Sequence, residues 1–243
     1  PRAARLLTEA PSPVTDDPAN SARPEGQRLP LVFILATLVI DAMGIGLILP
    51  VMPDLIRDVQ GGSLPQAAVW GGILATGFAV MQFLFGPILG ALSDACGRRP
   101  VLLVSLAVMV VNYLVMALTG SIWMLLAARI FGGVLAATQA TATAFVSDIS
   151  RPEDKAPRFA LTHAAYGVGF VLGPLLGGLL GVFGPRAPFY AAAALALCNL
   201  LLGLVVLPET VTDRIRRPFT WARGNPFGAI SHVGRLPGVG RLL

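Results

Sequence analysis

Two residues of opposite charge lie deep inside long apolar segments of the sequence. Asp41 falls about midway along the first such segment, and Arg129 falls within the fourth. An ionised carboxylate in the middle of a membrane is costly unless it is paired or faces a water-filled cavity, so Asp41 marks a functional site. We therefore predict that Asp41 takes up and releases a proton. The alternative is a structural ion pair with Arg129, and a pair broken by protonation of Asp41 would itself act as a proton switch.

Further polar side chains interrupt the apolar segments. They are Gln82, Asn112, Thr138, Gln139, Thr141, His163, Tyr166 and Asn199. For any one of them a hydrogen bond between helices is the ordinary role, whereas together they predict a mixed polar and aromatic cavity for an amphipathic organic molecule. Gln82 and Asn112 join the two charged residues on the predicted pathway of proton and substrate.

A short charged stretch separates the second and third apolar segments. It reads Gly-Ala-Leu-Ser-Asp-Ala-Cys-Gly-Arg-Arg-Pro and runs from Gly90 to Pro100. The chain is predicted to leave one helix at Ser93 and to enter the next at Pro100. Gly97 permits so sharp a turn because glycine accepts a positive φ. The stretch is therefore predicted to be a tight loop between two helices.

Charged residues in this stretch predict a latch that opens and closes during a transport cycle. The predicted latch consists of Gly90, Asp94, Gly97, Arg98, Arg99 and, from the end of the fourth apolar segment, Asp148. The alternative is a set of solvated surface pairs, each worth less than ~1 kcal/mol. We favour the latch because the charges are compact and the glycines constrain the turn.

The fifth apolar segment carries a stripe of glycines spaced by four, formed by Gly169, Gly173, Gly177 and Gly181. Such spacing gives one smooth face that a neighbouring helix can approach closely. Pro174 within the stripe removes one backbone hydrogen bond and bends the axis. A packing seam and a gating role both remain open for this helix.

The elements that position these residues are six apolar segments, near residues 30–50, 69–92, 100–118, 121–147, 159–183 and 187–207. A spanning helix needs about 20 mostly apolar residues, and each segment meets that length. The composition is 55% hydrophobic and only 13% charged, with a mean hydropathy of +0.73. The sequence therefore predicts an all-α polytopic membrane protein with a bundle over residues 30–207. Residues 1–29 are predicted to be a disordered tail, and residues 208–243 a linker.

The distribution of Lys and Arg predicts the orientation. Basic residues gather in the tail, in the second-to-third and fourth-to-fifth connections and in the predicted linker, whereas Arg57 and Arg186 fall on the opposite face. Both ends are therefore predicted to be cytoplasmic. The net charge of +5 reports this topology together with some attraction to anionic lipid, and the division of basic residues among separate loops argues against nucleic acid.

Motifs of enzymes and of metal sites are absent from the sequence. It contains no GxxxxGK[ST] phosphate loop, no HExxH and no GxSxG, and its two cysteines have no metal-ligand spacing. The chain is predicted to be a non-enzyme with no cofactor and no metal. Without a nucleotide site, an ion gradient is the predicted energy source.

The sequence also repeats itself at a shift of 87 residues. Matched positions are Gly86 and Gly173, Pro87 and Pro174, Arg99 and Arg186, and Asn112 and Asn199. The second and third segments thus repeat as the fifth and sixth, and the segments around Asp41 and Arg129 align with a one-residue slip. Because three helices is an odd number, the second copy must insert upside down. This predicts an inverted 3+3 repeat of the kind found in secondary transporters.

These features resemble the major facilitator superfamily, in particular its drug/proton antiporter branch with the tetracycline efflux proteins. The stretch from Gly90 to Pro100 resembles the signature between the second and third helices, and residues 125–133 resemble that of the fourth. The run from Gly169 to Gly178 is similar to the antiporter motif of the fifth helix. Residues 41–50 and Leu207-Pro-Glu-Thr210 resemble parts of the first and sixth helices of tetracycline exporters.

The resemblance implies one half of a twelve-helix transporter in the inner membrane of a bacterium, exchanging a cytoplasmic amphipathic drug for an external proton. The partners implied are the drug, protons, lipid and a missing carboxy-terminal six-helix half. Two departures stand out: Asn112 replaces an acid that tetracycline exporters carry, and Ala95 replaces a basic residue, leaving Arg98 and Arg99 to pair with Asp148. The alternatives are a truncated, non-transporting fragment and a metabolite transporter of the same fold.

Overall fold

The computed structural model describes residues 28–136, 138–211, 219–221 and 224–225. The predicted tail over 1–29 and the predicted linker over 208–243 lie mostly outside these ranges. The helices are α1 Arg28–Gln60, α2 Leu64–Cys96, α3 Arg98–Leu118, α4 Ile122–Val134, α5 Thr138–Asp148, α6 Lys155–Gly181 and α7 Ala187–Val206, with a 3₁₀ turn at Pro152–Asp154. The fourth span comprises α4 and α5, the fifth is α6 and the sixth is α7. Among the described residues, six segments are long and apolar enough to cross a membrane.

The first two helices extend beyond their predicted limits. α1 continues through Pro50 and Pro53, where the sequence predicted its end, because Leu55 and Ile56 beyond them are almost completely buried. Burial there outweighs the local penalty of proline inside a helix. α2 begins five residues before its predicted start at residue 69, and the Ser63 backbone N–H donates to Gln66 Oε1 at 3.1 Å. This capping box is a helix-start signal that the sequence prediction missed.

Among the described residues the hydrophobic core has two main clusters, one towards each end of the bundle, and a third small cluster at Leu89 and Val101. One cluster lies near the end that carries residues 93–99, here called the signature end. It includes Ile34, Leu38, Leu102 and Phe145. The larger cluster lies towards the opposite end and includes Leu47, Leu55, Met116, Leu125 and Phe189. Asp41 lies on α1 between Leu38 of the first cluster and Leu47 of the second, so a polar centre is sandwiched between two apolar layers.

Three of the four glycines in the stripe of the fifth span pack directly on α1, whereas a Cβ added at Gly181 would meet nothing within 4 Å in the part of the chain that the structure describes. A Cβ added at Gly173 would lie 2.5 Å from the Met43 carbonyl oxygen and 2.8 Å from the Gly46 Cα. Gly169 and Gly177 meet the α1 backbone in the same way, at the carbonyl groups of Val39 and Leu47. Since a side chain at these positions would collide with backbone, glycine is what allows α1 and α6 to approach so closely.

Contacts at the two ends of the bundle follow the internal shift of 87 residues. Arg99 Nη2 donates to the Leu204 carbonyl at 2.8 Å, and Arg186 Nη1 donates to the Ala117 carbonyl at 2.9 Å. Donors and acceptors of the two bonds are each 87 positions apart. The turn glycines Gly97 and Gly184 match as well, with φ of 115° and 116°. These equivalences support the inverted repeat, which stays a prediction.

Candidate functional site

The centre of the bundle contains three buried polar residues from three different helices. Asp41 of α1, Asn112 of α3 and Arg129 of α4 are 7%, 9% and 8% exposed. They line one cavity of about 30 Å³, whose other polar lining residues are Gln82, Ser105 and Tyr113. The structure thus brings together the four residues that the sequence placed on the proton and substrate pathway. Their roles on that pathway stay a prediction.

Two glycines make room for this polar centre. A Cβ added at Gly44 would overlap the Tyr113 hydroxyl, and one added at Gly132 would lie 2.8 Å from Asn112 Nδ2. Gly44 and Gly132 each follow a central charged residue by three positions, on the same face of its helix. The adjacent residues Asn112 and Tyr113 therefore fit against α4 and α1, respectively. Tyr113 was not predicted from the sequence, where the recurring charge-x-x-Gly spacing marked only the glycine beside which it packs.

Asp41 and Arg129 share the cavity without forming an ion pair. Within the described part of the chain no salt bridge or hydrogen bond joins them. The Arg129 guanidinium instead lies over the Phe78 ring, 5.5 Å from its centroid. Its buried Nε atom has no hydrogen-bond partner among the described residues. The structural ion pair weighed from the sequence is therefore not formed in this conformation.

A larger cavity of about 470 Å³ adjoins the polar centre. It is lined mainly by apolar side chains, among them Ile48, Leu49, Met52, Leu74 and Phe78. Its polar lining comes from Gln82, Arg129 and Tyr166. Five residues line both cavities, and two of them, Gln82 and Arg129, are polar; the others are Ile45, Ile48 and Phe78. This arrangement can hold the apolar body of an organic molecule beside a cation and hydrogen-bonding groups.

The remaining polar residues named from the sequence lie elsewhere. Asn199 contacts Thr37, with 3.2 Å between Oδ1 and Oγ1, which joins α1 to α7. Gln139 and His163 line a separate pocket of about 10 Å³, into which Tyr166 also reaches. Thr138 and Thr141 are buried in α5, outside the two central cavities. The predicted set therefore divides, and only part of it lines the centre.

The signature end is held by a charge cluster around Arg98. Its Nε donates to Asp148 Oδ2 at 3.1 Å, its Nη1 pairs with Asp94, and Nη1 also donates to Ser93 Oγ at 2.6 Å. Arg98 is only 9% exposed, so these are not solvated surface pairs. Arg99 does not pair with Asp148 as predicted, because it points to the end of α7 and binds the Leu204 carbonyl.

The predicted loop between the second and third spans is a single residue. α2 runs to Cys96 and α3 begins at Arg98, so the chain turns at Gly97 alone. The predicted limits at Ser93 and Pro100 were wrong, since both residues lie within helices. A one-residue connection is possible because Gly97 has φ of 115°, a conformation that side chains other than glycine rarely adopt.

Glu209, which follows the end of the sixth span, caps the first turn of α3. Its carboxylate accepts backbone N–H groups of Arg98 at 2.9 Å and Arg99 at 3.2 Å, the first residues of α3. It also accepts the N–H groups of Thr210 and Val211. A Cβ at Gly97 would collide with this carboxylate, which gives glycine a second reason to be there. The sequence showed the Leu-Pro-Glu-Thr motif but not this role.

Replacement of Glu209 by alanine is expected to lower the melting temperature of the purified protein. It leaves the half-buried Arg98 N–H and the exposed Arg99 N–H of α3 without this acceptor and removes a negative charge from a helix N-terminus, at a cost of about 1–3 kcal/mol. E209Q keeps one oxygen and should have a smaller effect. The exposed Glu153 provides the control, E153A, at the same end of the bundle. Equal melting temperatures for E209A and E153A would contradict this capping role.

Comparison with known proteins agrees with the fold and the motifs. The family model of the Major Facilitator Superfamily matches residues 34–241. The chain belongs to the major facilitator superfamily. The tetracycline resistance protein, class C, of Escherichia coli is 46% identical over 205 residues, which cover 80% of this chain and 51% of that protein. The class D protein of Salmonella ordonez is 42% identical over 184 residues, 75% of this chain and 46% of that protein.

A solved structure in this superfamily is also similar. The crystal structure of the human organic anion transporter MFSD10 (TETRAN) superposes with a TM-score of 0.75 at 27% identity, covering 90% of this chain and 60% of that chain. The chain spans about half the length of the curated relatives it matches. Its place in the major facilitator superfamily and the six membrane-length apolar segments among the described residues make it a multi-pass membrane protein.

Metal binding finds no support in the side chains that the structure describes. Among them, no group of three or more His, Cys, Asp or Glu residues lies close enough to hold a metal ion. The acidic residues Asp94 and Asp148 both pair with Arg98. The polar groups that line the central site are a carboxylate, a guanidinium and neutral hydrogen-bonding groups.

Proposed function

We propose that this chain is the amino-terminal six-helix half of a proton-coupled exporter of amphipathic drugs of the tetracycline type. The observation that carries the proposal is the buried centre of Asp41, Asn112 and Arg129 beside a largely apolar cavity of about 470 Å³. A buried carboxylate in a transporter bundle can alternate between charged and neutral forms as it loses and gains a proton. The adjoining cavity provides apolar surface for a drug-sized molecule.

In this mechanism Asp41 is the group that carries the proton. When it is ionised, it attracts the nearby Arg129 guanidinium or a cationic group of the substrate. Protonation from the outside removes that attraction and favours release of the drug. Proton and drug then bind in opposite phases of an alternating-access cycle, which is the requirement for exchange. The proton gradient supplies the energy.

The signature end has the features of a gate in this mechanism. Arg98, Asp94 and Asp148 are paired within this half, Gly97 forms the turn between α2 and α3, and Gly90 lies in the last two turns of α2. We place this end at the cytoplasmic face of a bacterial inner membrane, where Lys and Arg accumulate. The carboxy-terminal half would then dock on the same end and complete the latch.

Drug accumulation in cells tests this function. We expect gradient-dependent efflux of tetracycline when the chain is co-expressed with the carboxy-terminal half of the class C tetracycline resistance protein, and none with either half alone. A protonophore should abolish the efflux. Co-purification of the two halves provides the control for their assembly. Assembled halves that export no member of a panel of amphipathic drugs would contradict the proposal and favour a non-transporting fragment or a metabolite transporter.

An organic anion is a second candidate substrate. Arg129 presents the one charge that lines the larger cavity within the described residues, and it has no carboxylate partner there. The similar human structure is titled an organic anion transporter. An uncompensated guanidinium favours a carboxylate or sulfonate on the ligand. Inclusion of an amphipathic carboxylate in the accumulation panel separates this candidate from a cationic or zwitterionic drug.

A further inference from the structure

We propose that the small central cavity is a binding site for one water molecule, which passes protons between the larger cavity and Asp41. This inference rests on the proposed function for its biological purpose, whereas the site itself follows from the geometry. A buried water requires about 10–15 Å³ and two to four polar partners. The cavity has about 30 Å³, and its lining includes Asp41, Asn112 and Arg129.

Two polar atoms of the lining residues lack a hydrogen-bond partner in the described part of the chain, and one is an acceptor whereas the other is a donor. Asn112 Oδ1 is an acceptor and Arg129 Nε is a donor, and neither is exposed or has a partner among the described residues. Each unsatisfied buried atom costs about 1–3 kcal/mol. One water satisfies both, because it accepts from Arg129 Nε and donates to Asn112 Oδ1. Its second hydrogen is then available to the Asp41 carboxylate.

The position of the cavity explains how a proton reaches Asp41. Gln82 and Arg129 line both spaces, whereas Asp41 lines only the small one. A proton that enters from the larger cavity therefore passes through the small cavity. The water accepts this proton on its oxygen and gives another to the Asp41 carboxylate, so that one O–H bond forms on Asp41, one breaks on the water, and the water is regenerated.

The packing of the surrounding helices places polar groups around this cavity. Asn112 fits against Gly132, and Tyr113 fits into the space beside Gly44. Because these two glycines have no side chain, the Asn112 amide and the Tyr113 hydroxyl can lie close to a helix backbone. The hydroxyl groups of Ser105 and Tyr113 offer further partners in the same cavity. The Arg129 guanidinium is one of the polar groups that line the cavity, and the Phe78 ring lies against it.

Radiolytic hydroxyl-radical labelling in ¹⁸O-water, read by mass spectrometry, tests the site directly. The probe is water itself, and the sample is the 243-residue chain in lipid nanodiscs. Tyr113 is 3% exposed and lines the cavity, so bound water should make it react well above the dry reference Phe145, which is fully buried and lines neither central cavity. Tyr190, near the start of α7, gives the rate for a tyrosine on the outer surface of the bundle. Tyr113 labelling no higher than that of Phe145 would overturn the proposal.

Two variants of Asn112 test whether the labelling of Tyr113 comes from a water bound at this side chain. N112L removes the acceptor and fills the cavity with an apolar side chain, so Tyr113 labelling should fall to the level of Phe145. N112D keeps an acceptor oxygen and should retain the labelling. Tyr190 labelling should be unchanged in both variants if they fold. Undiminished Tyr113 labelling in folded N112L would overturn the site, and if N112L does not fold, the wild-type comparison with Phe145 decides.

The labelling experiment tests the water site, and the efflux experiment tests the proposed function, so a negative result in one does not decide the other. Labelling of Tyr113 without proton-coupled efflux would leave the water site in place and remove the proposed transport function. Proton-coupled efflux without labelling would support the function and exclude this water as the route to Asp41. Because the labelling does not depend on the second half of a transporter, it can be measured first.

Discussion

Replacement of Asp41 by asparagine is expected to abolish proton-coupled efflux while the chain still inserts into the membrane. The substitution removes the titratable group without changing the size of the side chain. Asp41 forms no ion pair with Arg129 in this structure, so the loss of its charge breaks no direct contact between them. In everted vesicles that contain this chain together with the carboxy-terminal half, drug uptake across imposed pH gradients should fall to the level of vesicles without the transporter.

Two variants show whether this effect belongs to proton coupling. D41E restores a carboxylate and should recover part of the pH-dependent efflux. D58N removes an acidic residue at the opposite end of the bundle, where Asp58 pairs with Arg186 at 3.0 Å. It should leave the pH profile unchanged. Efflux by D41N with a wild-type pH profile would show that another group carries the proton.

Replacement of Gly173 by valine is expected to prevent stable packing of the bundle. Even the first carbon of the new side chain would lie 2.5 Å from the Met43 carbonyl oxygen and 2.8 Å from the Gly46 Cα. Both atoms belong to the α1 backbone and cannot rotate away, so the two helices must separate. We expect a loss of about 3 kcal/mol or more in the free energy of unfolding, at the upper end of overpacking.

The chain contains a matched control for this effect five positions further along the same helix. Gly178 also lies in α6, and a Cβ added there meets nothing within 4 Å. G178V should therefore fold like the wild type, although it makes the same change in helix propensity. The measurement is the yield of monodisperse protein and its melting temperature in detergent. Equal yields and melting temperatures for G173V and G178V would contradict a close seam between α1 and α6.

The contacts of α6 with α1 bear on the two roles predicted for the glycine stripe, a packing seam and a part in gating. Gly169, Gly173 and Gly177 meet the α1 backbone directly, which is the packing seam that their spacing predicted. Pro174 contributes to it, since a Cβ on Gly46 would lie 2.8 Å from the proline Cδ. We expect so tight a seam to make α1 and α6 move together. A rocking motion of this pair against the other helices stays a prediction, and G173V combined with transport assays addresses it.

The sequence by itself determined the class of protein and the number of spans. Hydropathy is a property of consecutive residues, and a membrane imposes a minimum apolar length, so six segments could be counted without knowledge of their neighbours. Motifs such as the stretch from Gly90 to Pro100 are also local, and they pointed to the superfamily that the comparisons confirm. Asp41, Gln82, Asn112 and Arg129 stood out because polar residues are costly in such segments.

Only the tertiary structure decided which side chains meet. Local sequence predicted that α1 stops at Pro50, but burial of Leu55 and Ile56 against other helices extends it. The Glu209 cap on α3 joins residues more than 100 positions apart, and no local pattern encodes such a contact. Whether Asp41 reaches Arg129 depends on the rotation and separation of their helices. These quantities are set by packing across the whole bundle, where a glycine such as Gly44 or Gly132 determines how closely two backbones approach.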